Sequence, residues 1–356
     1  MVEAALSQSV NEAPSPEALC ARAYRFMLLA RILDDKYASL YRAGKICGGC
    51  FLGRGQEAFS VAGAVSLRRG DVFAPLVRDA AGRFAFGEPL LDSVRTYLGS
   101  ALGPMRGRDG NIHRGHPDEG LLAMISHLGA MISVVNGMLL AGRFQGLAGQ
   151  VGVASIGDGG TSTGSFHEAV NQAAVERLPL VVMIANNQYA YSTPNTREFG
   201  CRNLVDRALG YGVEGHTVDG TDLGECLRVT GEAIRRARAG HGPQIVVGQL
   251  LRMCGHGEHD DASYISPALK QSALGRDCVK VAEEQLLQQG VADAATLEGW
   301  RSDTLRQIEE AIATVQREAA PDPFEHDWCA IASRHLLETH LAPVAPVAVR
   351  GVLDLP

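Results

Sequence analysis

The chain has 356 residues, 46% hydrophobic and 21% charged, enough to bury a sizeable core as one large α/β domain or two smaller ones. Its 33 Lys and Arg against 40 Asp and Glu leave a net charge of -7, which offers no broad basic face and argues against nucleic acid and anionic membranes as partners. Eight cysteines scattered along the chain, and a polar start around Glu3 and Glu12 in place of a secretory segment, suggest a reducing compartment, a bacterial cytosol ahead of a mitochondrial matrix. Residues 1–15 are polar and patternless and read as a loose arm. Ser15-Pro16-Glu17 then supplies an N-cap, a first-turn proline and a first-turn acid. Ala23, Phe26, Met27, Ala30, Leu33, Tyr37, Leu40 and Tyr41 keep a helical period up to a stop at Gly44. Residues 46–120 are dense in glycine and predict loops laid over a scaffold, with short helices near 56–68 and 89–101. Cys47 and Cys50 form a C-x-x-C without a second pair at zinc spacing, so buried or loop thiols are the preferred reading.

Leu121 to Gly142 contain no Asp, Glu, Lys or Arg, nearly the length of a bilayer span. Ser126, His127, Gly129, Ser133, Asn136 and Gly137 spoil that reading and predict a loop entering a helix, near 130–144, buried inside the domain. Next come an apolar run at 151–156, a helix over 164–177 and a second run at 180–185: strand, helix, strand. A second unit repeats the pattern at 213–220, 221–239 and 243–253. Continuous apolar strands separated by helices predict an α/β fold, a parallel sheet with helices on both faces. Leu305, Ile308, Ile312, Val315 and Ala319 mark a further helix closed by Pro321 and Pro323. The apolar, proline-rich stretch 321–356 reads as an extension docking on a partner subunit, which leaves 16–320 as the domain.

Within the first unit stand GDGG at 157–160 and NNQY at 186–189. In a parallel strand-helix-strand unit both strands point the same way, so the loops leaving them lie side by side at the carboxyl edge of the sheet. Asp158 and Asn187 are thereby brought within reach of one cation. One carboxylate and one amide oxygen make too weak a cage for Ca²⁺ but suit Mg²⁺, which takes its other oxygens from water and a phosphorylated ligand. Gly157, Gly159 and Gly160 permit close backbone approach, and the start of the 164–177 helix would offer N–H groups to a diphosphate. Taken alone, GDGG could equally be an ordinary strand-to-helix turn.

GDG, 26 further residues (160–185) and NN make up the thiamine diphosphate signature. Together with GQEA at 55–58, VRDAAG at 77–82, GRDGNIH at 107–113, STP at 192–194, VDGTD at 218–222 and RMCGHGEHDD at 252–261, residues 25–320 resemble the alpha subunit of the thiamine diphosphate-dependent first component of 2-oxo acid dehydrogenase complexes, the pyruvate, branched-chain and acetoin dehydrogenase family. The resemblance implies a three-layer thiamine diphosphate-binding fold and oxidative decarboxylation of a 2-oxo acid. It makes Asp158, the Asn187 side chain and the Tyr189 main-chain oxygen the Mg²⁺ ligands, and Arg78 a diphosphate-binding group. His256 becomes the active-site histidine, able to contribute positive charge or a proton near neutral pH, while Leu128, with Ser126 beside it, meets the cofactor's pyrimidine. For His259, Asp260 and Asp261 a solvated loop is the preferred reading. It further implies that the glutamate needed on the pyrimidine comes from a beta subunit in an α2β2 heterotetramer, and that the acyl group passes to the lipoyl domain of an acyltransferase component. Phe51, Val77 and Ala185 replace more polar residues of the pyruvate-type pattern, which leans the pocket towards longer or branched 2-oxo acids. Gly257 stands where mitochondrial relatives carry a phosphorylatable serine, so kinase control at that point is excluded. A non-catalytic scaffold or regulatory homologue is the alternative, opposed by the intact Asp158, Asn187, Arg78 and His256.

Overall fold

The structure, a computed structural model, describes residues 15–110 and 113–322. Helix α1 (Pro16–Arg42) begins where the sequence places it, with the Ser15 hydroxyl accepting the Ala18 N–H at 3.2 Å and Pro16 in the first turn. Next come α2 (Glu57–Ala62), β1 (Val72–Ala74), α3 (Ala80–Phe86), α4 (Leu90–Leu98) and α5 (Ala130–Phe144). The strand-helix-strand unit is β2 (Gly152–Gly157), α6 (Gly164–Val175) and β3 (Leu180–Asn186), followed by a small ribbon of β4 (Tyr189–Ala190) and β5 (Thr193–Pro194). After α7 (Arg207–Tyr211), the second unit is β6 (Glu214–Asp219), α8 (Leu223–Arg238) and β7 (Gln244–Gln249), and α9 (Pro267–Lys270), α10 (Cys278–Gln288) and α11 (Ala294–Val315) complete the described chain. Several elements escape the sequence reading: β1, α3, the β4–β5 ribbon, α7 and α9 are two to seven residues long, too short to show a period, and the eleven-residue α10 escapes it as well.

The main sheet runs in the order β1-β2-β3-β7-β6 and every neighbouring pair is parallel. Both faces are covered, and the period of two along each strand deals its side chains to them alternately. Ala154, Ile156, Val182, Ile184, Ile245 and Val247 pack on one side with Ile132, Val135 and Leu139 of α5 and Phe166, Ala169 and Val170 of α6. Val153, Val181, Met183 and Val246 pack on the other with residues of α1, α2, α8, α10 and α11. This is the three-layer α/β arrangement that the apolar strands imply.

The expectation that the helix near 130–144 is buried needs correcting. Helix α5 hides Ile132, Val135, Asn136, Leu139 and Gly142, but Val134 is 42% and Phe144 85% exposed, and Gly137 and Ala141 between them face outward. A helix that is apolar all round can give only one side to its own domain; the other side needs a second surface. Among the described residues, no helix is long and apolar enough to cross a membrane. The arm expected over 1–15 and the extension expected over 321–356 lie outside the described residues, save for Ser15, Pro321 and Asp322.

Candidate active site

Gly157, the last residue of β2, pairs with Ala185 of β3. Just beyond, the backbone N–H groups of Asp158 and Asn187 both donate to the Ala185 carbonyl, at 3.2 and 2.9 Å. The two oxygen-bearing residues are therefore hung from one atom at the carboxyl edge of the sheet. Asn187 is further oriented by its Nδ2, which donates to Gln56 Oε1 at 2.6 Å and leaves Oδ1 with only a long contact, 3.4 Å, from the Tyr189 N–H. Asp158 is 2% exposed; its Oδ1 accepts the Gly159 N–H at 3.0 Å, while its buried Oδ2 has no hydrogen-bond partner. Burial and the nearby Glu198 charge push its pKa up to about 7.

Arg78, Leu128, Gly157, Asp158, Gly159, Gly160, Asn187, Tyr189 and His256 line one cavity of about 150 Å³. Ser126 is not brought there: it is exposed, and its hydroxyl lies 3.2 Å from His113 Nε2, whose Nδ1 meets Asp109 at 2.7 Å. Leu128 sits at the rim, its side chain 47% exposed and its carbonyl accepting the Ser165 hydroxyl at 2.9 Å. Arg78 is buried; its guanidinium donates to the carbonyls of Leu52 and His256 at 2.7 and 2.6 Å, and among the described residues no carboxylate pairs with it. The Tyr189 carbonyl receives a 3.3 Å contact from Arg252, which also binds the carbonyls of Tyr191 and Cys254 and the Tyr264 hydroxyl. Gln56 and Arg252 thus organise the site although the sequence reading assigned neither a role. Both lie inside quoted motifs, and only their partners, 131 and 63 positions away, reveal what they do.

His256 differs from expectation. Burial, then the charges of Arg78, Arg252 and His259, push its pKa down to about 4, so the ring is neutral rather than cationic at neutral pH. Tyr191 lies against the ring with centroids 4.3 Å apart, and Phe51 meets it edge-on at 5.2 Å. Its backbone is pinned by Asp260, whose carboxylate accepts the N–H groups of His256 and Ala262 and the Tyr264 hydroxyl at 2.6, 2.9 and 2.7 Å. Although partial burial opposes it, those bonds hold Asp260 down at about 2. Asp260 is a fastener of this loop, not a solvated bystander.

The α6 start falls at Gly164, as expected, but it does not face the cavity as a diphosphate-binding helix start would. A 3-10 turn (Gly159–Ser162) intervenes, and α6 is capped by Thr163, whose hydroxyl accepts the Phe166 N–H at 3.4 Å. Its first residues do not line the cavity; the glycines of the turn do. A larger cleft, about 670 Å³, opens at the opposite edge ahead of β1 and β2, but its Arg22, Arg68, Arg69, Asp118 and Glu119 are exposed. Convergent buried polar groups, not volume, locate the site.

These residues fit a divalent cation and a diphosphate. A buried carboxylate oxygen without a donor, an amide oxygen with one long contact and a main-chain carbonyl are hard donors of the kind Mg²⁺ takes. A side chain on Gly157 would meet no atom within 4 Å, so its absence keeps open space at the cavity wall. The buried Arg78 guanidinium carries a positive charge to the same wall.

Comparison with known proteins places the chain in a family. The family model described as "Dehydrogenase E1 component" matches residues 24–324. The alpha subunit of acetoin:2,6-dichlorophenolindophenol oxidoreductase from Cupriavidus necator is 32% identical over 90% of this chain and 96% of its own. The 2-oxoisovalerate dehydrogenase subunit alpha of Bacillus subtilis is 37% identical over 67% and 73% of the two chains, and the pyruvate dehydrogenase E1 component subunit alpha of Rhizobium meliloti 30% over 84% of each. The chain therefore belongs to the dehydrogenase E1 component family, oxidoreductases that depend on thiamine diphosphate.

Proposed function

We propose that the chain is the alpha subunit of a 2-oxo acid dehydrogenase, that it holds thiamine diphosphate through Mg²⁺, and that it works only with a beta subunit, as an α2β2 assembly handing an acyl group to the lipoyl domain of an acyltransferase component. The compartment proposed is the reducing cytosol that the scattered cysteines suggest. The observation that carries the reading is the unpartnered Asp158 oxygen beside Asn187, facing a cavity shared with Arg78 and His256.

When bound, the cofactor supplies the nucleophilic carbon and the electron sink for cleaving the bond beside the oxo group. The chain's own part is to bind and orient. Asp158, the Asn187 Oδ1 and the Tyr189 carbonyl would hold Mg²⁺, and Arg78 would meet the phosphates. Neutral His256 offers its N–H as a donor to a substrate oxygen and keeps one acceptor nitrogen for a proton donor. Among the described residues the acids lining the cavity are Asp79 and Asp158, and Asp79 is occupied by the Leu76 N–H at 2.7 Å. Neither is the glutamate that the pyrimidine requires, which supports a second subunit. The apolar outward face of α5, which begins just past Leu128 on the rim, is the surface we assign to that subunit.

Val77 and Ala185 line the cavity and Phe51 packs on His256, an apolar set that favours a branched 2-oxo acid such as 2-oxoisovalerate. Acetoin is the second reading, favoured by the Cupriavidus necator relative that matches nearly end to end. The test is reconstitution with the beta chain and turnover of 2-oxoisovalerate, pyruvate and acetoin with an artificial electron acceptor. We expect kcat/KM to be highest for 2-oxoisovalerate, by about tenfold, a gain of one or two buried methyl groups. No turnover of any of the three, with thiamine diphosphate and Mg²⁺ present, would defeat the reading.

A further inference from the structure

Asp158 is not the only acid at this edge with an oxygen to spare. Glu198 follows the short turn Asn195–Arg197 after β5, and its Oε1 accepts the Ala190 N–H at 2.7 Å while its buried Oε2 has no partner. Its backbone is tied to the turn after Asp158, because the Ser162 hydroxyl donates to the Glu198 carbonyl. What lets the two carboxylates come close is Gly159. A methyl group there would come within 2.4 Å of the Ala190 Cβ and 3.4 Å of Glu198 Cδ and Oε2, while the Gly159 N–H itself binds Asp158 Oδ1. Among the described residues neither acid makes an ion pair, and the Arg252 guanidinium nearby spends its nitrogens on three carbonyls and a hydroxyl. Two acids flanking one bare α-carbon, each with a buried and unpartnered oxygen, ask for a cation.

We propose that Glu198 is a positioning residue for the divalent cation held by Asp158: its free oxygen adds a second negative charge beside the cation, and its bonded oxygen locks Ala190, next to the Tyr189 carbonyl. This rests on the Mg²⁺ reading above and extends it to a residue outside the signature.

The experiment is titration of the full-length chain, reconstituted with its beta subunit, with Mn²⁺ in the presence of inorganic pyrophosphate, read by electron paramagnetic resonance and by the rise in Tm that the cation produces. Glu198→Gln can keep the hydrogen bond from Ala190 but loses the charge, and is expected to weaken Mn²⁺ by about tenfold, the usual scale for groups just outside a metal's ligands. Glu198→Asp restores part of the affinity. The Tm without cation stays at the wild-type value in Glu198→Gln, whereas a merely structural role would lower it. Wild-type Mn²⁺ affinity in Glu198→Gln overturns the role of Glu198 and leaves the cofactor reading standing, as does a lowered cation-free Tm with unchanged affinity. Failure of the wild-type protein to bind Mn²⁺ overturns both.

Discussion

His256 illustrates how one side chain's surroundings decide its chemistry. Partial burial opposes its charge most, and Arg78, Arg252 and His259 work in the same direction, against only Asp260. Tyr191, which covers the ring, adopts a left-handed backbone (φ 54°) although it is not glycine, and Arg252 holds its carbonyl in place. The neutral ring has a consequence for stability. In the unfolded chain a histidine binds a proton near pH 6.5, whereas in the folded chain it does so only near 4. The unfolded state thus holds more protons between these values, so the His256 contribution is whole above about pH 6.5 and is lost as pH falls towards 4. Urea midpoints of wild type and His256→Gln should therefore converge, or cross in favour of the variant, between pH 7 and pH 4.5; a constant difference would show that the ring is not held neutral.

At the scale of elements, the parallel pairing of β2 and β3 does most of the work. It aligns Gly157 with Ala185 and so hangs Asp158 and Asn187 from the same carbonyl, however the intervening helix is packed. Helix α5 has the opposite character, since half of it belongs to no part of the described chain. Val134→Glu and Phe144→Glu change exposed side chains and should leave the Tm of the isolated chain nearly unchanged, within about 0.5 kcal/mol of stability. The same changes place a charge in the face assigned to the beta subunit and should weaken its association at least about tenfold, the effect of roughly 1.4 kcal/mol. Light scattering on the co-expressed pair decides the matter, and an intact assembly carrying both substitutions would remove α5 from the interface.

The whole molecule depends on a buried charge network that joins distant segments. Glu88, after α3, receives Arg83 at 2.7 and 3.0 Å and Arg114 at 2.8 Å, and all three are nearly inaccessible. Arg83 also donates to the Arg114 carbonyl at 3.1 Å, which ties α3 to the loop leading towards Leu128. Burial alone would raise the Glu88 pKa, but the two guanidiniums hold it below the usual value. Glu88→Gln would leave two buried positive charges facing a neutral group and should cost about 3–5 kcal/mol in urea unfolding. A loss below about 1 kcal/mol would show that water or another acid already balances the pair.

The parallel α/β plan and the meeting of Asp158 with Asn187 are legible in the order of residues, because period and spacing are local and two parallel strand ends can only lie side by side. That order also located the α1 start, through Ser15 and Pro16, and the cores of β2, β3 and β7 within a residue or so at their amino ends. What it could not decide depends on partners far along the chain. The neutral state of His256 comes from burial and from charges led by Arg78, nearly 180 positions away; the orientation of Asn187 comes from Gln56; the free oxygen of Glu198 lies where a side chain on Gly159 would crowd it. Ser126 sits two residues from Leu128, yet its hydroxyl turns to His113 instead of the cavity. Exposure of α5 was likewise invisible, since apolar composition states that a face will be covered but not whether its cover belongs to the same chain. Secondary structure follows from the order of neighbours, whereas charge state, orientation and exposure follow from what the fold brings near.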